Sequence, residues 1–128
     1  MKKAISTDLA PAAIGPYSQA IERKTLNSNM IFTSGQLPIN PATGDMPDGI
    51  KAQTAQSLAN VKAVLEAGGF TMDDVVKTLV FLADMSDFAD MNDVYAQVFK
   101  APFPARSAVA VKTLPKNALV EIEVIASK

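Results

Sequence analysis

The sequence predicts an α+β domain whose elements follow the order β-β-α-β-α-β-β, with two helices on one face of a mixed sheet. Three observations predict it. Two segments carry apolar residues at three-to-four spacing, and the other apolar runs are short and bounded by turn residues. No repeat, low-complexity tract or linker interrupts the 128 residues, so residues 1–128 read as one domain with its own core.

Tyr17 to Ile21 and Met30 to Ser34 read as two strands around a polar turn at Asn27-Ser28-Asn29. Gly35-Gln36-Leu37-Pro38 and Asn40-Pro41-Ala42-Thr43-Gly44 then form an irregular loop. From about Asp48 to Ala67, Ile50, Ala55, Leu58, Val61 and Leu65 mark one face of an amphipathic helix, which Gly68-Gly69 caps. Val75 to Leu82 is a β-branched and apolar run between Asp73-Asp74 and Asp84, hence a buried strand. Ser86 or Asp87 can cap a second helix carrying Phe88, Met91, Tyr95 and Val98-Phe99 on its apolar side, and Pro102 and Pro104 end it. Arg106 to Thr113 and Ala118 to Ile125 are the last two strands, around the turn Leu114-Pro115-Lys116-Asn117. The sheet face without helices needs a cover, and oligomerisation is the natural one for so short a chain.

Composition excludes much chemistry. The chain has no Cys and no His, so there is no thiolate nucleophile, zinc cluster, imidazole base or Ser-His relay. Acid–base work falls to Asp, Glu, Lys or Tyr, and no spaced carboxylates suggest a metal loop. Twelve Lys and Arg against thirteen Asp and Glu give a net charge of −1, a poor basis for neutralising an extended phosphate backbone. Trp is absent, and the aromatic residues do not alternate with Arg or Lys as a base-stacking platform would. No apolar run approaches the roughly 18 residues of a membrane span. Met1-Lys2-Lys3 lacks the apolar stretch of a secretory signal, so the expected compartment is the cytoplasm.

The last two strands carry the chemistry-bearing residues. In Val120-Glu121-Ile122-Glu123-Val124 the aliphatics point one way and both glutamates the other. Along Arg106-Ser107-Ala108-Val109-Ala110-Val111, the valines share one face, leaving Arg106, Ala108 and Ala110 on the opposite one. Pairing these strands with their aliphatic faces united puts Arg106 beside Glu121 and Glu123, over the shallow floor of Ala108 and Ala110. Two readings follow. Either these are ordinary cross-strand charge pairs, or Arg106 clamps a carboxylate while a partly desolvated glutamate serves as acid or base.

Elsewhere, Gly15-Pro16-Tyr17 reads as a turn into a strand with a packed Tyr. Ser34-Gly35 is a bulge or strand terminus, or a place where backbone approaches a ligand. The Phe88, Met91, Tyr95 stripe is core, with Asn92 oddly placed within it.

Pro104-Ala105-Arg106-Ser107 followed by Val120-Glu121-Ile122-Glu123 resembles the Rid family of reactive intermediate deaminases. Ala10-Pro11-Ala12-Ala13-Ile14-Gly15-Pro16-Tyr17-Ser18-Gln19, Thr33-Ser34-Gly35-Gln36, Asn60-Val61, Val76-Lys77-Thr78 and Asp87-Phe88 extend the resemblance over the whole chain, in order. It implies a fold like trimeric chorismate mutase, with three equivalent clefts between the subunits of a homotrimer. It implies hydrolysis of enamines and imines, such as 2-aminoacrylate, 2-iminopropanoate or 2-iminobutanoate, to 2-keto acids and ammonia, without a cofactor. Arg106 would then hold the substrate carboxylate, Glu121 would activate water, and Tyr17 would assist proton transfer. Tyr17 and Ser34 would line the pocket, the backbone at Gly35 and Ala108 would bind the ligand, and Phe88 and Asn92 would complete the cleft. Two features depart from the family: Ala108 stands where many members have Cys, and the loop from Lys24 to Asn29 looks longer. The rival readings are an endoribonuclease or translation inhibitor, a label some relatives carry, and a non-catalytic small-ligand sensor or holdase.

Overall fold

Three antiparallel strands open the chain in a computed structural model that describes residues 1–128: β1 (Lys2–Ile5), β2 (Ala20–Lys24) and β3 (Asn29–Thr33). They are followed by α1 (Ile50–Ala67), β4 (Val75–Leu82), α2 (Phe88–Val98), β5 (Ala105–Ala110) and β6 (Val120–Ser127). The strands form one six-stranded sheet in the order β1-β2-β3-β6-β4-β5. β6 lies antiparallel between β3 and β4, while β4 and β5 run parallel. Parallel neighbours need a crossover, and here α2 supplies it for β4 and β5. α1 likewise connects β3 to β4 across the inserted β6, and both helices lie on one face.

The α+β class and the placement of the helices follow the expectation, with four corrections. β1 is an added strand, assembled from Lys2–Ile5 although Ile5 is its only buried residue. The first expected strand moves from Tyr17–Ile21 to Ala20–Lys24, because the chain is still bent at Tyr17, whose N–H donates to Gly15 O. α2 is preceded by a short 3₁₀ turn, so Asp84 accepts from the Ser86 N–H, while neither Ser86 nor Asp87 caps with its side chain. The last two strands are not a hairpin, since β4 lies between them.

The core is the layer between helices and sheet, where Ile31, Val80, Val120, Ile122 and Val124 meet Leu58, Val61, Val64, Leu65 and Met91. Each such fully buried side chain contributes about 1.5–3 kcal/mol. α1 buries more than its aliphatic stripe. Ala55 is exposed, whereas Gln53, Thr54, Ser57 and Asn60 are buried. Three of these polar groups pin the loop that follows β3. Ser57 Oγ donates to Gln36 O, and Asn60 Nδ2 donates to Leu37 O and Ile39 O at 2.9 and 2.8 Å. Gln53 Nε2 donates to Pro47 O while its Oε1 accepts from Leu119 N. At the far end of α1, Gly69 takes φ +80°, the left-handed conformation expected of the Gly68-Gly69 cap.

The opposite sheet face carries no helix. Ile21, Phe32, Leu79, Phe81, Val109 and Ile125 lie on it by strand alternation, with Phe32 40% and Val109 48% exposed. No helix is long and apolar enough to cross a membrane.

The Asn60 contacts predict a measurable stability loss. Asn60→Ala leaves two loop carbonyls without their buried donor, so unfolding free energy should fall by about 2–3 kcal/mol in a urea titration. A loss below about 0.5 kcal/mol would show that water satisfies those carbonyls instead.

Candidate active site

A β-bulge builds the first half of the site. Phe32 pairs with Ile125 and Gln36 with Ile122, so three residues (33–35) stand opposite two (123–124). Thr33 takes up the mismatch, its Oγ1 accepting from Val124 N at 3.0 Å. The extra residue pushes Gly35 against the glutamate next in line. A Cβ on Gly35 would lie 2.1 Å from Glu121 Oε1 and 2.9 Å from Cδ. Only glycine allows this approach without displacing that carboxylate, so at Gly35 the backbone meets the chain's own Glu121.

Glu121 projects from the helix-free face, two residues from Glu123 on the same side. Partial burial pushes its carboxyl above the ordinary glutamate value, and the Glu123 charge pushes it further. It forms no salt bridge. Beside Gly35 lies a cavity of about 220 Å³, walled by Pro11, Ala12, Ile14, Tyr17 and Leu37 among others. Tyr17 reaches it because Gln19 anchors the preceding segment. The buried Gln19 amide accepts from Thr7 N and donates to Thr7 O and Pro11 O. Ser34 Oγ donates to Ser18 O at 2.6 Å, which commits its proton to holding that segment and leaves its oxygen free to accept.

The second half is built on β5 and α2. Arg106 is directed toward α2, where its Nη1 donates to Asn92 Oδ1 at 2.7 Å. Its Cζ stands 5.4 Å from the Phe88 ring centroid and 4.7 Å from that of Tyr95. These distances are those of cation–π contacts, so two rings and one amide hold the guanidinium. Val111 N donates to Leu82 O on β4, and successive amides of a strand point to opposite edges. The Ala108 N–H therefore points outward from the open edge of β5, on the strand that carries Arg106.

The structure overturns the expected union of Arg106 with the glutamates on one face. Thr78 pairs with both Arg106 and Val124, while Phe81 pairs with both Val109 and Glu121. Arg106 therefore shares the helix-covered face with Thr78, Val80 and Ala108, and Glu121 shares the bare face with Phe81 and Val109. The aliphatic faces of β5 and β6 do not coincide. On β5 the helix side carries Arg106, Ala108 and Ala110, and Val109 is left on the bare side. Two strand spacings and three residues separate Arg106 from Glu121, a Cα distance on the order of 14 Å across opposite faces. One chain brings together Glu121, Gly35, Ser34 and Tyr17, and separately Arg106, Asn92, Phe88 and Ala108. It does not join the two groups.

Two residues near these groups escaped the sequence reading. Tyr95 looked like core, and nothing in its spacing marks the ring as a seat for Arg106. Lys116 sits at the rim of the cavity, in a turn where it and Asn117 have φ of 56° and 57°. That conformation costs a lysine about 1–2 kcal/mol, and only the Pro-Lys-Asn turn signal hinted at it.

The family described as Endoribonuclease L-PSP matches residues 7–128. A RutC family protein of Pyrococcus horikoshii is 54% identical over 129 residues, covering 100% of this chain and 99% of that protein. The 2-iminobutanoate/2-iminopropanoate deaminase of Escherichia coli is 52% identical and covers 98% of both chains. The crystal structure of a putative endoribonuclease from Thermotoga maritima superimposes with a TM-score of 0.92 at 51% identity, covering 100% of this chain and 98% of that one.

Two outcomes follow from the glutamate's surroundings. Gly35→Ala displaces the Glu121 carboxylate, the far end of a flexible side chain, so melting should barely change. Turnover by a reaction that uses Glu121 should fall by roughly ten- to a hundredfold, the usual cost of misplacing a reacting group by about 1 Å. Full activity in the alanine variant would deny the carboxylate a role at that position. If Glu121 acts as its carboxylate, activity rises with pH through its raised pKa. Glu123→Gln removes the like charge, so the acidic limb of the pH–rate profile should move to lower pH. A limb that stays in place would exclude Glu121 as the titrating group.

Proposed function

The chain belongs to the Endoribonuclease L-PSP family, the reactive intermediate deaminases that its motifs resemble, and we propose that it hydrolyses 2-imino acids to 2-keto acids and ammonia at clefts between the subunits of a homotrimer. The observation that carries this reading is the division of the site. A cation held by two rings and an amide and a partly buried carboxylate lie on opposite faces of one sheet, too far apart to share a small substrate within one chain. The apolar bare face supports association, because a second copy would cover Phe32, Phe81 and Val109 and bring its own half-site to the junction. Near-identical length and 52% identity to a named imine deaminase support the substrate class.

In this mechanism Arg106 and the Ala108 N–H of one protomer hold the substrate carboxylate, with the guanidinium fork giving a bidentate contact. The partner's Glu121, kept basic enough by burial and by Glu123, accepts a proton from a water lying over the imine carbon. The C–O bond forms as the C=N electron pair moves to nitrogen, giving a carbinolamine. Glu121 returns the water's proton to that nitrogen and then carries the carbinolamine's hydroxyl proton to it, with Tyr17 at the cavity wall; as the C=O bond forms the C–N bond breaks and ammonia leaves. Fixing the carboxylate makes the attack of water effectively intramolecular. Water and side chains supply every group, so the reaction invokes no cofactor, and the cytoplasm is its setting. The endoribonuclease label of the family fits less well. With no His and a net charge of −1, the chain offers neither an imidazole acid–base pair nor a basic track for RNA.

The reading is tested by letting a dehydratase generate the imine and timing keto-acid release with and without the protein. Arg106→Ala should abolish acceleration. Arg106→Lys should lose most of it, because an ammonium keeps the charge without the fork. Glu121→Gln should cost roughly a hundredfold. Its melting temperature near neutral pH should hold or rise, because the raised pKa means ionised Glu121 is disfavoured in the fold there, while stability at low pH is unaffected. Mixed trimers from the Arg106→Ala and Glu121→Gln chains should regain activity, since some junctions then carry both intact groups. Absence of regain in confirmed hybrids would place both groups in one chain and defeat the shared cleft.

A further inference from the structure

Arg106 rests on a ring that is itself fixed. Tyr95 is almost wholly buried, and its hydroxyl lies 2.8 Å from Thr78 Oγ1, on a threonine with no exposed surface. Thr78 is the β4 residue paired with Arg106 in the β4–β5 register. The Tyr95 ring also meets Phe99, with centroids 4.6 Å apart and planes at 42°.

Packing alone does not account for this hydroxyl pair. A phenylalanine would fill the same space, and burying a phenol costs free energy that only a partner such as Thr78 recovers. What the pair adds is orientation. The sheet register places Thr78 beside Arg106, Thr78 sets the position of the Tyr95 ring, and the ring sets the plane of the guanidinium above it. Asn92 fixes rotation within that plane through Nη1, leaving the Nε–Nη2 edge without a partner and directed by its surroundings. Bidentate recognition of a carboxylate depends on that plane, since both N–H groups must meet both oxygens.

We propose that Tyr95 and Thr78 are positioning residues for the carboxylate clamp: a buried hydroxyl pair that holds the aromatic seat of Arg106 and thereby aims its fork at the substrate. The inference rests on the carboxylate-clamp reading of Arg106. Thr78 has no exposed surface, and Tyr95 shares the wall of a pocket with Arg106; the role assigned to both is exerted through the guanidinium.

The test uses the intact enzyme with Thr78→Val and Tyr95→Phe, both nearly isosteric, and Tyr95→Leu, which removes the seat. Pyruvate serves as an unreactive keto-acid probe for binding, and imine hydrolysis gives KM and kcat. Thr78→Val and Tyr95→Phe should each raise KM and the pyruvate Kd by roughly threefold, and their combination should be no worse than either alone. Tyr95→Leu should raise both by roughly tenfold or more, with a smaller fall in kcat, and Tyr95→Phe should restore most of that loss. Unchanged KM and Kd in folded Thr78→Val and Tyr95→Leu proteins would overturn the proposal, even if melting fell. Arg106→Ala, assayed alongside, separates the two levels of the argument. If it retains pyruvate binding and turnover, the clamp itself fails; if it loses both while the Tyr95 and Thr78 variants do not, only the positioning role fails.

Discussion

The position of β4 between β5 and β6 governs the rest of the molecule. Its pairing with β5 is parallel, and two parallel neighbours cannot be joined by a tight turn. The chain must cross the sheet between them, and α2 is that crossing. α2 therefore lies above the strand to which it leads, with Phe88, Asn92 and Tyr95 facing Arg106. The surroundings of Arg106 are thus a consequence of connectivity. On its other edge β4 pairs antiparallel with β6, and the same register sets Glu121 level with Phe81, on the face that no helix reaches.

The glutamate's half of the site depends on a local irregularity instead. Were β3 and β6 paired without a bulge, residue 35 would continue the ladder and Glu121 would stand over an ordinary strand. One extra residue, accommodated by the Thr33 hydroxyl, turns the backbone so that Gly35 meets the carboxylate. Ser57 and Asn60 then hold the loop beyond the bulge from beneath, through carbonyls of Gln36, Leu37 and Ile39. A helix face that buries this much polarity is a weak amphipathic stripe by sequence, yet its polar groups satisfy the carbonyls of the loop beyond the bulge.

How much of this was legible follows from the range of the forces involved. Periodicity reports local burial, so β4 was placed at its observed bounds and α1 ended at its glycines as expected. Alternation also divided the side chains of β5 and β6 into faces correctly. Which face of β5 joins which face of β6 is a matter of partner order, and no local pattern records an inserted strand. The turn at Leu114–Asn117 looked like a hairpin connection, and assuming adjacency placed Arg106 with the wrong residues. The motifs that carry the family resemblance name Arg106, Glu121, Tyr17 and Gly35 as candidates without reference to strand order, and the resemblance adds Asn92, because a motif is blind to topology. Tyr95 lay outside those motifs and matched the core stripe, so neither route exposed its contact with Arg106.

The separation of Arg106 from Glu121 has a chemical consequence. A guanidinium beside that glutamate in the folded chain would favour its ionised form, pulling its pKa down instead of up. The two groups would also neutralise one another, and a keto or imino acid would have to break a formed ion pair before binding. On opposite faces, neither quenches the other. Arg106 spends one N–H on a neutral amide and stacks on rings, which hold it without cancelling its charge. Glu121 stands against Gly35, and its partial burial, with the Glu123 charge adding to it, leaves it more basic than usual. In the proposed cleft the substrate lies between the two groups, with its own carboxylate taking the guanidinium's charge. Under that proposal Glu121 is left free to act on water, and a second chain completes each site.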